Sequence, residues 1–191
     1  MSLTEVDLRS ALAERGALLQ GHFRLSSGRH SDRFVQKFRI LEDPVLLERV
    51  ARELADRFRS LEPTIVVGAA VGGILLAYEV ARQLGTKAIF VEKVNGVPAL
   101  RRGFALSPHD RALLVEDVLT TGQSMRETVE VVRATGASIV GLGVIVARGT
   151  MGDAGFPTHA LLELPLQSYD EAQCPQCRAE EPLSDPGSRR A

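Results

Sequence analysis

The chain has 191 residues, a formal net charge of −1 and 45% hydrophobic residues, which is ordinary for one globular domain with a substantial core. The near-neutral charge indicates no basic surface for nucleic acid or for an anionic membrane. No apolar run in the sequence approaches the roughly 20 residues of a membrane span. The N-terminus lacks the charged-then-apolar layout of a signal peptide, so we expect a cytoplasmic protein.

The first third of the chain predicts two helices with short strands between them. Thr4 can cap a first helix that ends near a glycine at residue 16. Residues 21–40 alternate polar and apolar side chains around a Ser-Ser-Gly turn, which favours short strands. Asp43 and Pro44 form an N-cap followed by proline at the first helical position, and apolar residues then recur at helical spacing.

From residue 64 onward, predicted strands alternate with predicted helices. The strands cover residues 64–67, 88–91, 113–115, 139–146 and 160–164. The helices cover residues 74–84 and 123–134, and residues 93–110 form a long polar loop or hairpin. This alternation predicts an α/β fold with a mostly parallel sheet and right-handed crossovers. Ligands in such sheets bind beyond the carboxyl ends of the strands.

The stretch ALLVEDVLTTGQS, residues 112–124, is the most informative segment. An apolar strand leads into Glu116 and Asp117, which we expect where the strand ends. Glycine and hydroxyl residues then precede a helix that starts near Gln123: Thr120, Thr121, Gly122 and Ser124. Vicinal sugar hydroxyls can donate to two carboxylates, and free N–H groups at a helix start bind phosphate. The segment therefore indicates a sugar phosphate; the alternative is an acidic flank that only caps the helix.

Three other strand ends carry candidate binding residues. The turn GAAVGG, residues 68–73, lets backbone N–H groups approach a phosphate, although glycine is common in such turns. Arg148 can hold a planar carboxylate in bidentate fashion, or it is a solvated rim residue. Lys93, Arg101 and Arg102 either form an exposed basic loop or close over a departing diphosphate.

The cysteines and histidines allow several interpretations. Cys174 and Cys177 form a CPQC motif, which supplies two zinc ligands completed by a second subunit, a redox pair, or an incidental pair. The four histidines are scattered along the chain, and we expect most of them at the surface: His22, His30, His109 and His159. The polar residues 180–191 predict a loosely ordered tail.

Taken together, these motifs resemble the type I phosphoribosyltransferases, and specifically the orotate phosphoribosyltransferases. VEDVLTTGQS resembles the phosphoribosyl pyrophosphate (PRPP) motif of that superfamily. GHFRLSSGRHSDRF resembles the N-terminal segment of the orotate enzymes, and GAAVGGILLAYEVAR resembles their diphosphate-binding loop. Arg148 after VIVA resembles the arginine of their orotate site. The ending SYDEAQCPQC resembles one bacterial branch, so the likeness covers nearly the whole chain.

The resemblance implies one phosphoribosyltransferase domain over residues 1–179, with a small hood formed mainly by residues 17–40 and 160–179. It implies transfer of the phosphoribosyl group from PRPP to N1 of orotate, which gives orotidine 5′-monophosphate and diphosphate in pyrimidine synthesis. Mg²⁺ would be held mainly by PRPP rather than by side chains. Family members are homodimers whose mobile loop reaches into the partner's site.

The resemblance also implies roles for individual residues. PRPP would be bound by Ala70, Gly72, Lys93, Glu116, Asp117, Val118, Leu119, Thr120, Thr121, Gly122, Gln123 and Ser124. Orotate would be bound by Ser27, Gly28, Thr120 and Arg148. Glu116 and Asp117 would hold the ribose hydroxyls and stabilise positive charge that builds on the sugar. Lys93 would stabilise the leaving diphosphate, and Arg101 or Arg102 would assist.

Two departures from the family pattern and two alternative functions stay open. Many members carry a lysine where Gly72 stands here, and their mobile loop is longer and contains a histidine. A purine or uracil phosphoribosyltransferase would keep residues 112–124 but would not need Arg148. The second alternative is a non-catalytic PRPP-binding regulator; such regulators carry a DNA-binding segment, and only about 20 residues precede GHFRLSSG here.

Overall fold

The computed structural model describes residues 3–25, 27–150 and 152–186. The helices of this part are α1 (Glu5–Glu14), α2 (Phe38–Leu41), α3 (Pro44–Phe58), α4 (Gly72–Leu84), α5 (Gln123–Arg133) and α6 (Pro175–Arg178). The strands are β1 (Leu18–Arg24), β2 (His30–Val35), β3 (Ile65–Ala69), β4 (Lys87–Val94), β5 (Val97–Leu100), β6 (Arg111–Leu119), β7 (Ser138–Ala147), β8 (Thr158–Glu163) and β9 (Leu183–Ser184).

A six-stranded sheet in the order β5-β4-β3-β6-β7-β8 forms the centre of the fold. All its neighbours run parallel except β4 and β5, which form an antiparallel hairpin at one edge. The predicted α/β class with a mostly parallel sheet is confirmed. The carboxyl ends of β3, β4, β6 and β7 therefore meet along one edge of the sheet.

Helices cover both faces of this sheet, which explains the apolar runs in its middle strands. Along β6, Leu113 and Val115 join the core that contains α3 and α4, whereas Leu114 joins the core that contains α5. Successive side chains of a strand point to opposite faces. By the same alternation, Asp117 points towards the α4 side of the sheet.

The helix starts agree with the local sequence signals. Thr4 and Asp7 form a capping box at the start of α1. The Asp43 side chain accepts from the first backbone N–H groups of α3, and Pro44 occupies the first turn. Both predicted caps are confirmed. Among the described residues, no helix is long and apolar enough to cross a bilayer.

A second sheet has three strands in the order β2-β1-β9, two from the N-terminal part of the chain and one from its C-terminal part. We call it the hood sheet. β8 belongs to the central sheet, so the predicted hood segment 160–179 starts too early. The loosely ordered tail predicted for 180–191 is wrong at β9, which pairs in parallel with His22 and Phe23. Residues 187–191 lie outside the described residues.

Candidate active site

Glu116 and Asp117 lie inside β6 and not beyond its end, which corrects the sequence-based expectation. Pairing with β7 continues past both acids to Leu119 and Ala147. Glu116 is 7% exposed and Asp117 only 1% exposed. Hydrogen bonds to β7 satisfy backbone groups of β6 both before and after Glu116 and Asp117. The strand therefore continues past these two residues, although both have low strand propensity. The acids therefore belong to the rigid sheet.

Lys37 compensates the buried charge of Asp117. Its Nζ lies 2.9 Å from Asp117 Oδ2, and its side chain is one-third exposed. A buried carboxylate is costly unless a partner charge is close, and Lys37 supplies that charge from the residue just before α2. Sequence reasoning missed this residue. The scarcity of lysine in the chain was the only available signal, since just three are present.

Gly72, at the start of α4, lies against the same ion pair. A Cβ atom at residue 72 would collide with the Asp117 carboxylate and would stand 3.2 Å from Lys37 Nζ. The lysine that many family members carry here therefore has no room in this arrangement. The ammonium group of Lys37 lies beside the position that the Cβ atom of such a lysine would occupy.

Glu116 has an unusual acidity. Burial and the neighbouring charge of Asp117 raise its pKa to about 8, although the positive charge of Lys37 acts in the opposite direction. The raised value means that Glu116 contributes stability at low pH that is lost as the pH rises towards 8. Hydrogen-bond donors that approach this carboxyl group would favour its ionised form.

The start of α5 is open to an anion. Its N-cap, Gly122, has a φ of 74° and no side chain to cap the first turn. Thr121 Oγ1 lies 3.4 Å from the Gln123 N–H, but Gly122 itself caps none of the N–H groups of that turn. The helix dipole favours negative charge there. Thr120 and Thr121 beside it are exposed. Arg126 donates to the Thr121 carbonyl at 2.7 Å and adds positive charge that the sequence did not suggest.

Two residues of the predicted PRPP segment make contacts within the protein. The Leu119 side chain is buried in the core on the α5 side of the sheet. The Val118 N–H donates to Asp117 Oδ1 at 2.6 Å. The contacts of Val118 and Leu119 with PRPP stay predictions.

A cleft of about 520 Å³ joins the glycine-rich turn, the β4–β5 hairpin and the start of α5. Ala70 lines it from the turn, Lys93 from the hairpin and Ser124 from the helix. Three sequence segments predicted to serve one ligand thus share one cleft. The volume falls in the range of small-molecule sites.

Two of the basic residues in and after the hairpin, Lys93 and Arg102, are paired with acids of the same chain. Lys93 Nζ lies 2.7 Å from Glu127 Oε2 at the cleft wall. Arg102 Nη2 lies 3.1 Å from Glu92 Oε2, and Arg101 is exposed. Lys93 therefore lies in the cleft already, whereas Arg102 would have to exchange Glu92 for a ligand.

Arg148 follows β7 and lies next to Thr120. Its backbone N–H donates to Leu119 O at 2.8 Å, and the chain passes so close that a Cβ at Gly149 would collide with the Thr120 carbonyl. The side chain is half-buried, and among the described residues its Nε has no hydrogen-bond partner. Burial lowers the pKa of Arg148, while the negative charge of Asp32 in β2 opposes this.

Ser27 and Gly28 form the exposed turn between β1 and β2. Gly28 has a φ of 83°, which suits glycine. The next residue, Arg29, ties this turn to the C-terminal segment through Ser168 Oγ at 2.9 Å and Asp170 Oδ1 at 2.7 Å. The predicted contact of Ser27 and Gly28 with a base stays a prediction.

Comparison with known proteins decides the family. The phosphoribosyl transferase domain profile matches residues 39–153. The orotate phosphoribosyltransferase of Pelotomaculum thermopropionicum is 46% identical over 98% of this chain and 100% of its own length. The chain belongs to the orotate phosphoribosyltransferase family. The ligand contacts predicted for the acidic pair, the helix start and Arg148 stay predictions.

Solved structures agree with this assignment but are less specific. The orotate phosphoribosyltransferase of Aeropyrum pernix superposes with a TM-score of 0.67 and 28% identity, covering 82% of this chain and 93% of that one. The adenine phosphoribosyltransferase of Rhodothermus marinus gives a TM-score of 0.64 and 25% identity, covering 82% and 99%. Enzymes for different bases share the fold, so the orotate family is indicated by sequence identity over the full length.

Proposed function

We propose that the chain transfers the 5-phosphoribosyl group from PRPP to N1 of orotate, giving orotidine 5′-monophosphate and diphosphate in pyrimidine (UMP) synthesis. The observation that carries this proposal is Arg148, a half-buried guanidinium with an unpartnered Nε among the described residues, beside the end of β6. A planar guanidinium suits a carboxylate. Orotate carries one, whereas uracil and the purine bases do not.

The geometry suits the displacement of diphosphate from a sugar. N1 of orotate, which gives up its proton to solvent, attacks C1 of the ribose as the bond from C1 to the diphosphate oxygen breaks. Positive charge builds on the sugar in the transition state. Glu116 and Asp117, held rigidly in β6, would accept from the ribose hydroxyls and stabilise that charge. The 5′-phosphate would lie at the start of α5. No covalent nucleophile is required.

Mg²⁺ is proposed to enter with PRPP. Asp117 is already paired with Lys37, and the pKa of Glu116 is about 8, so this pair is not a ready ligand set for the metal. Mg²⁺ commonly keeps several waters and binds through substrate phosphates, which fits this arrangement. When bound, it would neutralise charge on the leaving diphosphate.

A homodimer is proposed as well, with the β4–β5 hairpin close to the partner's site. Apolar side chains at the start of α4 support it: Val71, the residue just before the helix, is 69% exposed, Leu75 47% and Tyr78 66%. Their spacing places them on one face of the helix, beside the cleft. The cytoplasmic location stays a prediction.

One assay tests the proposed reaction. Purified protein mixed with Mg²⁺, PRPP and orotate should consume orotate, which is followed by the loss of its ultraviolet absorbance. Parallel reactions contain uracil, adenine or hypoxanthine in place of orotate. Turnover of one of these bases without turnover of orotate would contradict the assignment. PRPP binding without turnover of any base would favour the regulator.

Lys93→Ala should lower kcat by about 10- to 100-fold, because Lys93 is the cation that already lies in the cleft near the proposed diphosphate site. The matched control is Lys87→Ala, which removes an exposed lysine from the opposite end of the same strand and should leave kcat unchanged. Near-normal turnover by Lys93→Ala would show that another group serves the leaving diphosphate.

A further inference from the structure

Four side chains outside the cleft converge between the hood sheet and the C-terminal segment, and we call them the His/Cys cluster. They are His22, His30, Cys174 and Cys177, and their potential ligand atoms all lie within 4.8 Å of one another. His22 is 4% exposed, His30 1% and Cys174 0%. The expectation that most histidines lie at the surface is thus wrong for these two. The two histidines beside the cysteine pair therefore belong to the same chain and not to a second subunit.

Four distances within the cluster lie close to those of a tetrahedral zinc site. His22 Nε2 lies 3.0 Å from His30 Nδ1, and each cysteine Sγ lies 3.5 Å from His22 Nε2. His30 Nδ1 lies 3.2 Å from Cys177 Sγ. Tetrahedral Zn²⁺ with usual bond lengths places two nitrogens about 3.3 Å apart and a nitrogen and a sulfur about 3.6 Å apart.

A contact outside the cluster orients His22 for metal binding. His22 Nδ1 lies 2.9 Å from the Glu181 carbonyl oxygen. A carbonyl only accepts, so Nδ1 carries a proton, and in the neutral imidazole the lone pair of Nε2 then faces the cluster. Metal-bound histidines typically donate their other ring N–H in this way. Gln176, between the two cysteines, donates to Gly21 O at 2.8 Å and fixes the cysteine turn against β1.

Hydrogen bonds alone do not account for this arrangement. His22 Nε2 has three neighbours at 3.0–3.5 Å: one imidazole nitrogen and two thiols. A neutral imidazole with its proton on Nδ1 offers a single lone pair to them. One metal cation at the centre of the cluster would contact all four ligand atoms at once. It would replace the two thiol protons and accept a lone pair from each of the two imidazole nitrogens.

We propose that the His/Cys cluster binds one structural Zn²⁺ ion. Two nitrogen and two sulfur ligands in a tetrahedron select zinc over the oxygen-preferring Mg²⁺, and four protein ligands leave no open position for catalysis. The ion would fasten the segment of residues 174–181 to strands β1 and β2. The same sheet carries the turn at Ser27 and Gly28, so the metal would hold that turn in place.

Zinc content and cobalt substitution test the proposal independently of enzymatic activity. The full chain, purified under reducing conditions with any affinity tag removed, should contain about one Zn²⁺ per chain by mass spectrometry. Apoprotein titrated with Co²⁺ should show intense tetrahedral d–d bands and a thiolate charge-transfer band that saturate at one equivalent. Cys177→Ser and His22→Gln should lose or weaken both signals, and His109→Gln, at an exposed histidine, should retain them.

Removal of the metal should also destabilise the fold. Treatment with a strong chelator should lower the Tm by on the order of 5–10 °C, and added Zn²⁺ should restore it. Zinc far below one equivalent together with a Co²⁺ spectrum that lacks thiolate bands would overturn the proposal. An unchanged Tm after complete zinc removal would overturn the structural role. These measurements on the unmodified chain decide the question even if the variants fail to fold.

Discussion

Asp117→Asn is expected to lower kcat/KM for PRPP by about 100- to 1,000-fold. The carboxylate is 1% exposed, is held in β6, and faces both Lys37 and the start of α4. The amide would keep the shape but would lose the negative charge proposed to stabilise the sugar. It would also leave Lys37 without its partner, which we expect to cost about 1–2 kcal/mol of unfolding free energy.

The control for this variant is Asp110→Asn, at the residue just before the opposite end of the same strand. Asp110 accepts from the Ser107 backbone at 2.7 Å, so its loss should also reduce stability, but it lies at the amino end of β6. Steady-state kinetics with varied PRPP and urea unfolding are measured for both variants. If both lose activity only in proportion to stability, Asp117 acts as a structural residue and the proposed role is wrong.

Arg148→Ala should raise the KM for orotate by roughly 100-fold and leave the KM for PRPP within about twofold. The guanidinium is half-buried beside Thr120, and its Nε finds no partner in the described part of the chain. Arg148→Lys should recover only part of the loss, because an ammonium group cannot bind a carboxylate through two parallel hydrogen bonds.

Arg133→Ala is the matched control for Arg148. Arg133 lies in the last turn of α5, is exposed, and donates to Ala154 O at 3.2 Å. Its removal should change neither KM. A normal KM for orotate in Arg148→Ala would instead favour a phosphoribosyltransferase for a base that has no carboxylate, and turnover of uracil or a purine would then identify that base.

The sequence by itself determined most of the secondary structure and the candidate ligand segments. Their signals are local: an N-cap and proline before α3, a buried apolar run in β6, and a glycine before α5. Such features depend on residues within a few positions of one another, so they can be recognised without the fold. The family resemblance rests on the same contiguous motifs.

Only the tertiary structure decided which distant residues complete the two sites. Lys37 reaches Asp117 across 80 positions in the chain, and His22 meets Cys174 across 152. The position of the acidic pair inside β6 likewise depends on the ladder to β7. These contacts arise from strand order and from the docking of the hood sheet. Because helical or strand periodicity relates a residue only to its near neighbours, it carries no information about such pairs.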